Sequence, residues 1–389
     1  MKIPLIACIV LIVSQTSAQN TTQHYVLARS AGKLPALSYG LGEDRLGGAK
    51  MGYIDTNVIF KVIDSTKEMY SVQLSKYHTA YIDKLYLKFY SLPKEKPYYI
   101  TNSFSAKGDS AFDYVGISME EKLPYKSSME INPSKIIVDI FGVQSNTNWI
   151  TQLQSLKEVK NVYYNQVEDD VLRVTIELQH RQHWGYSIGY KNKVLVIRVR
   201  RQPEKLDITK LKIAIDAGHG GTNMGADGTR TKAQEKTYTL LFAKALEKYL
   251  KKKGVKKIVM TRNNDTTFDN KDRILFLQQQ NPDILISLHL NSSNNDQVKG
   301  VSTYYKHIGF RPLTTALLNR ILELKLGEFG NVGSFNFVLN GPTDFPNSLV
   351  EIAFLSNAED ERRIVTPKFH ADVAGKIYAG IVDWLKAVK

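Results

Sequence analysis

Leu211 to Gly221 reads LKIAIDAGHGG, and the second half of the chain is organised around this stretch. Its apolar run is typical of a strand buried on both faces of a parallel sheet, and the glycines after it predict a tight exit loop. His219 is therefore expected at the carboxyl end of a parallel strand, where open α/β sheets bind their ligands. On its own, such a histidine is more often a hydrogen-bonded scaffold residue than a metal ligand.

Two later stretches repeat this pattern of a buried strand with a polar residue. Asp283 to Leu290, DILISLHL, predicts a strand that runs into His289. Ser348 to Leu355, SLVEIAFL, carries Glu351 in the middle of an apolar run. A carboxylate is costly to bury unless it is paired, metal-bound or catalytic, so Glu351 is a candidate functional residue.

A helix is predicted between the first two strands, from Glu235 to Lys253, with Gly254 as its stop signal. Its first-turn glutamate would lie near the sheet edge from which His219 emerges. With the two histidines, this carboxylate would complete the three-ligand set of a hydrolytic zinc site, whose fourth position stays open to water. The alternative is an ordinary glutamate that the helix dipole favours, and the spacing alone leaves both open. Glu351 would then be the acid–base group.

Strands and helices alternate through the rest of this region, which predicts an α/β domain with a mostly parallel sheet and helices on both faces. The remaining expected strands are Lys257–Thr261, Gly300–Tyr305 and Phe335–Leu339, and the remaining helices are Asp272–Gln280, Pro312–Gly327 and Pro367–Val388. Arg262 directly follows a strand and is interpreted as a sheet-end or ion-pair residue. Like His307, it is left out of the predicted site.

These motifs occur in the order found in a known enzyme family. They are IDAGHGG at 215–221, Gly225-Ala226, Glu235-Lys236, Thr261-Arg262, SLHLN at 287–291, GVSTYY at 300–305 and VEIAFLSNAED at 350–360. With them the chain resembles the zinc-dependent N-acetylmuramoyl-L-alanine amidases of the amidase_3 type, which cut stem peptides from the glycan strands of peptidoglycan. The resemblance implies that His219, Glu235 and His289 bind Zn2+. It also implies that Glu351 is the catalytic glutamate.

Two positions depart from the family pattern. Asn223-Met224 stands where an acidic residue and a proline usually follow the first histidine, and Val338-Leu339-Asn340 stands where VLR is often found. Both departures leave the predicted metal ligands intact and bear on substrate contacts instead. Two other functions remain open: a zinc peptidase acting on stem peptides, and a non-catalytic protein that binds the cell wall.

The chain before this domain consists of short runs with alternating apolar residues, which are typical of small β barrels or sandwiches. Residues 19–95 are predicted to form an SH3-like module. The stretch RLGGAKMGYIDTNVIFKVIDSTKEMYSVQLS at 45–75 resembles bacterial SH3-like domains.

A second β-rich segment, residues 96–201, resembles the AMIN domain that precedes amidases of this type and targets them to the envelope. Its clearest predicted strands are Ser134–Phe141, Val171–Leu178 and Val194–Arg200. A short polar linker at Gln202–Asp207 leads into the predicted catalytic domain, residues 208–389.

Met1 to Ala18 is predicted to be a secretory signal, because Lys2 precedes an apolar run that is too short to span a bilayer. The only cysteine, Cys8, lies within it, so the exported protein is expected to lack disulfides and a thiol nucleophile.

The chain is basic, with 52 Lys and Arg against 38 Asp and Glu residues and a formal net charge of +14. In an exported protein this charge favours cell-wall polymers or membrane surfaces over nucleic acid as partners. We expect a periplasmic or cell-wall location with no membrane span after signal cleavage. The expected partners are peptidoglycan as the substrate and cell-envelope regulators bound through the β-rich modules.

The remaining histidines are not assigned to a site. His180 and His183 in HRQHWG have the spacing of a metal pair but no third ligand nearby, so they are interpreted as part of a surface loop. The others, expected to be structural or exposed, are His24, His78, His307 and His370.

Overall fold

The computed structural model describes residues 25–42, 47–90, 96 and 98–389. The predicted secretory signal, with Cys8, and also His24 lie outside these residues. The described chain forms four sheets, whose strands and helices are numbered below in chain order. No helix in this part of the chain is both long and apolar enough to cross a membrane.

The first sheet belongs to a unit that we call the β1–β7 module. Its strands are β1 Val26–Ser30, β2 Ala36–Ser38, β3 Lys50–Tyr53, β4 Ile59–Ser65, β5 Met69–Ser75, β6 His78–Asp83 and β7 Leu87–Phe89. They lie in the order β3-β2-β6-β5-β4-β1-β7, and all neighbouring strands are antiparallel. The SH3-like assignment and its boundaries remain a prediction.

The next segment forms two sheets in which most neighbouring strands are antiparallel. Its strands are β8 Tyr99–Gly108, β9 Phe112–Met119, β10 Tyr125–Ile131, β11 Ser134–Phe141, β12 Val143–Gln144, β13 Ile150–Gln152, β14 Val159–Glu168, β15 Val171–Leu178, β16 Tyr186–Lys191 and β17 Val194–Arg200. One sheet has the order β10-β11-β15-β14, and the other has the order β12-β8-β9-β17-β16 with β13 beside β8. The three strands predicted from the sequence are confirmed as β11, β15 and β17. One apolar core joins both sheets to the β1–β7 module.

The remainder of the chain is the α/β domain. Its elements are β18 Lys212–Ala217, α1 Glu235–Lys252, β19 Lys257–Met260, α2 Asn270–Gln280, β20 Ile284–Asn291, β21 Val301–Tyr304, α3 Arg311–Leu322, β22 Glu328–Val332, β23 Asn347–Phe354, α4 Ala358–Ile364 and α5 Pro367–Ala387. The strand order is β19-β18-β20-β23-β21-β22.

This sheet is mixed: the predicted parallel arrangement is found for β19, β18, β20 and β23 but not for the whole sheet. Four of its neighbouring pairs are parallel, but β21 runs antiparallel to β23. The reason lies in the connection from β20 to β21, residues 292–300, which contains no helix. A return to a parallel position needs a longer crossover, usually through a helix.

The strand predicted at Phe335–Leu339 is wrong. The strand lies earlier, as β22, and Val338–Asn340 forms a single 3-10 turn instead. The aromatic side chains that suggested a strand pack on a neighbouring ring: Phe335 and Phe337 each lie 5.0 Å from Tyr304, measured between ring centroids.

The two faces of the sheet have different cover. Helices α1, α3 and α5 lie over one face, and α2 packs against Ala214 and Leu285 on the other. Because side chains alternate along a strand, His289 lies on the same face as Leu285, and Glu351 is its register partner on β23. The predicted site therefore lies on the α2 face, at the carboxyl ends of β18, β20 and β23.

Candidate metal centre and active site

The loop after β18 brings His219 close to His289. His219 has a left-handed backbone with φ of +61°. At Gly218, an added Cβ would lie 2.3 Å from the His289 ring, so the position before His219 requires glycine. The two histidine rings meet edge-to-face, with their centroids 5.0 Å apart.

A side-chain hydrogen bond orients the His219 ring. Its Nδ1 atom lies 2.9 Å from Asn223 Oδ1, and an amide oxygen can only accept, so the proton is on Nδ1. This leaves Nε2 as the nitrogen that can bind a metal, and it points at Glu235 Oε1, 3.1 Å away. Asn223, where the family pattern has an acidic residue, thus supports the predicted ligand.

Glu235 is the first residue of α1 and is 4% exposed. Its Oε1 atom lies 3.0 Å from His289 Nδ1 and accepts the Leu290 N–H at 3.0 Å, while Oε2 accepts the Ala226 N–H at 2.8 Å. Burial opposes ionisation of this carboxyl, but its close contacts with the His219 and His289 imidazoles outweigh burial and lower its pKa. These contacts favour a role for Glu235 in the predicted metal site over that of an ordinary glutamate at a helix start.

Potential ligand atoms of His219, Glu235 and His289 all lie within 4.8 Å of one another. Two imidazole nitrogens and one carboxylate oxygen are a donor set that suits Zn2+. This is the only such group of three among the residues that the structure describes.

The alternative pair, His180 and His183, does not form a metal site in this part of the chain. His180 Nδ1 lies 2.7 Å from Glu158 Oε2. His183 is buried, and its Nε2 lies 2.7 Å from the Glu130 carbonyl and 3.0 Å from Ser134 Oγ. The surface-loop interpretation of His183 is therefore wrong, because packing against the α/β domain at Gly309 covers the ring.

Glu351 lies beside the three-residue group but outside it. It is 6% exposed and lies in register with His289 on one side and Ser302 on the other. Tyr304 lies two residues after Ser302 on the same face of the sheet. The pKa of its hydroxyl is raised mainly by burial and also by the negative charge of Glu351. A buried carboxylate here can exchange protons with a reacting molecule at the metal centre.

Two buried arginines hold the loop that carries His219, and neither was assigned to the site from the sequence. Arg273 on α2 donates to the Ala217 carbonyl at 2.7 Å and to the His219 carbonyl. Arg262 donates to the carbonyls of Ala217 and Gly218, each at 2.9 Å. The position of Arg262 at a strand end was a usable signal, whereas Arg273 lies inside an ordinary helical pattern.

A buried aspartate neutralises part of this positive charge. Asp216 Oδ1 lies 2.6 Å from Arg273 Nη1 and accepts from Thr261 Oγ1 at 2.7 Å, while Oδ2 accepts from Ser287 Oγ at 2.6 Å. Burial alone would raise the pKa of Asp216, but the nearby positive charges and these hydrogen bonds lower it overall.

Two known family models match this sequence. The Amidase_3 model, described as N-acetylmuramoyl-L-alanine amidase, matches residues 213–383, and the AMIN domain model matches residues 105–200. The chain thus contains an Amidase_3 domain and an AMIN domain. The amidase domain includes His219, Glu235, His289 and Glu351, and the AMIN domain includes β11, β15 and β17.

Two relatives of this chain are also described as amidases. N-acetylmuramoyl-L-alanine amidase AmiC of Escherichia coli is 24% identical over 360 residues, which covers 70% of this chain and 86% of AmiC. The probable cell wall amidase LytH of Staphylococcus aureus is 32% identical over 205 residues, which covers 52% of this chain and 66% of LytH.

Solved amidase structures match the same part of the chain. The N-acetylmuramoyl-L-alanine amidase of Clostridium difficile 630 is 28% identical, with a TM-score of 0.44, over 46% of this chain and 100% of that one. The catalytic domain of CwlV from Bacillus (Paenibacillus) polymyxa is 32% identical, with a TM-score of 0.41, over 46% of this chain and 98% of that one.

Proposed function

We propose that this amidase is a zinc-dependent peptidoglycan hydrolase that cleaves the amide bond between N-acetylmuramic acid and the L-alanine of the stem peptide. The observation that carries the proposal is the grouping of His219, Glu235 and His289 within 4.8 Å, next to Glu351, inside the region that matches the amidase family.

The donor atoms fit zinc. His219, through Nε2, with His289 and Glu235 would hold the ion, and zinc bound in such a set activates water and polarises the scissile carbonyl. The hydrogen bond from His219 Nδ1–H to Asn223 fixes the tautomer that metal binding needs. The two backbone N–H groups that bind Glu235 fix the carboxylate. These contacts fix the side chains that would hold the ion.

Glu351 is proposed as the general acid–base residue. Its place beside His289, on the same face of the sheet, supports this role. It would take a proton from the attacking water and give it to the departing nitrogen of L-alanine as the C–N bond breaks.

The rest of the chain supports export to the cell envelope. The AMIN domain, the net charge of +14 and the predicted signal agree with a protein that acts in the periplasm or at the cell wall. Envelope regulators that bind the β1–β7 module or the AMIN domain are part of the proposal, and nucleic acid is not.

Digestion of purified sacculi with the mature protein, followed by mass spectrometry, tests this function. Free stem peptides that begin with L-alanine, lost on zinc chelation and restored by zinc, are expected. Peptides shortened at their carboxyl ends would instead identify a zinc peptidase. Binding to sacculi without any soluble product would identify a non-catalytic wall-binding protein.

A further inference from the structure

The β1–β7 module contacts the amidase domain through β3, the strand at the edge of its sheet. The side-chain amide of Asn336 donates to the Gly48 carbonyl at 3.0 Å and accepts the Lys50 N–H at 3.1 Å. An edge strand offers unpaired backbone groups, and the Asn336 amide pairs with one of them, at Lys50, and with the Gly48 carbonyl just before the strand. Asn336 therefore bridges the two parts of the chain.

Further contacts surround this bridge. Lys306 Nζ, just after β21, donates to the Lys50 carbonyl at 2.7 Å. An added Cβ at Gly341 would lie 3.2 Å from Tyr53, so β3 packs directly against the segment that follows Asn336. Tyr53 also packs with the buried Leu339 in the core on the α2 face. The module thus contacts the segment 336–341.

The segment that Asn336 anchors leads to the predicted catalytic glutamate. Phe335 and Phe337 flank Asn336, and both rings meet the Tyr304 ring edge-to-face with centroids 5.0 Å apart. The Tyr304 hydroxyl lies 3.3 Å from Ser302 Oγ, and Ser302 is the register partner of Glu351. A row of aromatic side chains therefore extends from the β3 contact to the side of the site where Glu351 lies.

We propose that the β1–β7 module completes one wall of the substrate cleft, with Asn336 as the positioning residue that fixes this wall. The inference rests on the proposed function, because the cleft is the one that would receive a muropeptide. A substrate that enters beside Glu351 meets the Phe335 and Phe337 rings in a fixed place only while Asn336 is bound to β3. The module thereby contributes to substrate affinity without touching the reacting atoms.

Asn336→Ala in the full-length protein tests this role. We expect KM for a soluble muropeptide to rise about five- to tenfold with kcat within about twofold, because two hydrogen bonds are lost while Glu351 is untouched. Arg29→Ala is the matched control. Arg29 Nη2 lies 2.9 Å from Glu121 Oε2, so this variant breaks a contact between the same module and the AMIN domain, away from residues 333–341.

A second arm separates this inference from the proposed function. In a Glu351→Gln background, which holds the substrate without consuming it, calorimetry measures the Kd for the same muropeptide. Asn336→Ala is expected to raise this Kd by the same factor of about five to ten, and Arg29→Ala is expected to leave the Kd unchanged.

Equal KM and Kd values for Asn336→Ala and the unsubstituted protein would overturn the cleft-wall inference. A fall in kcat without a rise in KM would also overturn it, because it would indicate general damage rather than a displaced wall. If the unsubstituted protein shows no turnover, the proposed function fails and the Kd comparison alone decides the inference. Absence of muropeptide binding by every variant would overturn both.

Discussion

Glu235 Oε1 lies 3.0 Å from His289 Nδ1, and the same oxygen accepts the N–H of Leu290, the next residue on β20. The start of helix α1 is thus joined to the strand end that presents the second histidine. Glu235 is therefore a proposed metal ligand, and its carboxylate is also the hydrogen-bond acceptor that joins the start of α1 to β20.

Glu235→Ala should weaken zinc binding and destabilise the metal-free protein. Loss of a ligand should reduce zinc affinity by at least about 100-fold, measured by competition with a chromophoric chelator. The buried N–H groups of Leu290 and Ala226 would lose their acceptor, which should lower the free energy of unfolding in urea by about 1–3 kcal/mol. Glu247→Gln, at a partly exposed position on the same helix that is paired with Lys251, should change neither quantity. Unaltered zinc affinity in Glu235→Ala would exclude it as a ligand.

Arg273→Lys should disturb the metal site through the backbone. Lysine keeps the positive charge next to Asp216 but cannot reach the Asp216 carboxylate and the His219 carbonyl together, as the guanidinium does. We expect zinc affinity to fall about 10- to 100-fold, as for other residues that orient a ligand, with an unchanged circular dichroism spectrum. Arg363→Lys is the control, since Arg363 also donates to a carbonyl, that of Leu324, away from the site. Equal zinc affinities in both variants would remove the positioning role.

Acid should destabilise the protein through His183. Burial lowers the pKa of this imidazole from 6.5 to about 4, and the hydrogen bond to the Glu130 carbonyl only partly opposes the shift. Between these two values the unfolded chain binds a proton that the folded chain does not, so stability falls as the pH falls from about 6.5 towards 4. Between pH 7 and 5 this one group should reduce the free energy of unfolding by about 2 kcal/mol.

His183→Gln removes this titration while keeping a side chain that can donate a hydrogen bond. Urea unfolding at pH 7 and pH 5 should show a pH dependence smaller by about 2 kcal/mol than in the unsubstituted protein. The matched control is the partly exposed His180, where His180→Gln should leave most of the pH dependence in place. If the two variants behave alike, the buried His183 ring is not the source of the effect.

Much of the site could be predicted because it depends on strand ends. Long apolar runs that end in His219 or contain Glu351 predict buried strands, and the carboxyl ends of parallel neighbours share one edge of a sheet. The grouping of the two histidines follows from that geometry. The resemblance to the amidases implied Glu235, which spacing alone left undecided.

The misjudged features depend on contacts between distant parts of the chain. The strand β21 pairs with β23, which lies far along the sequence. Phe335 and Phe337 alternate as they would in a strand, but Tyr304 and the edge of β3 bind this segment instead. Burial of His183 needs the AMIN domain to dock on the amidase domain. None of these contacts leaves a local sequence pattern.

Zinc binding by three residues and proton transfer by Glu351 can be tested together in one paired measurement. Bound zinc per chain and the rate of stem-peptide release are measured on the same preparations of the unsubstituted protein, Glu351→Gln and His289→Ala. We predict that Glu351→Gln keeps its zinc and loses about 10²- to 10⁴-fold in rate, whereas His289→Ala loses the metal and the activity together. Near-normal turnover by Glu351→Gln would rule out its role in proton transfer. Full zinc content in His289→Ala would rule out His289 as a zinc ligand.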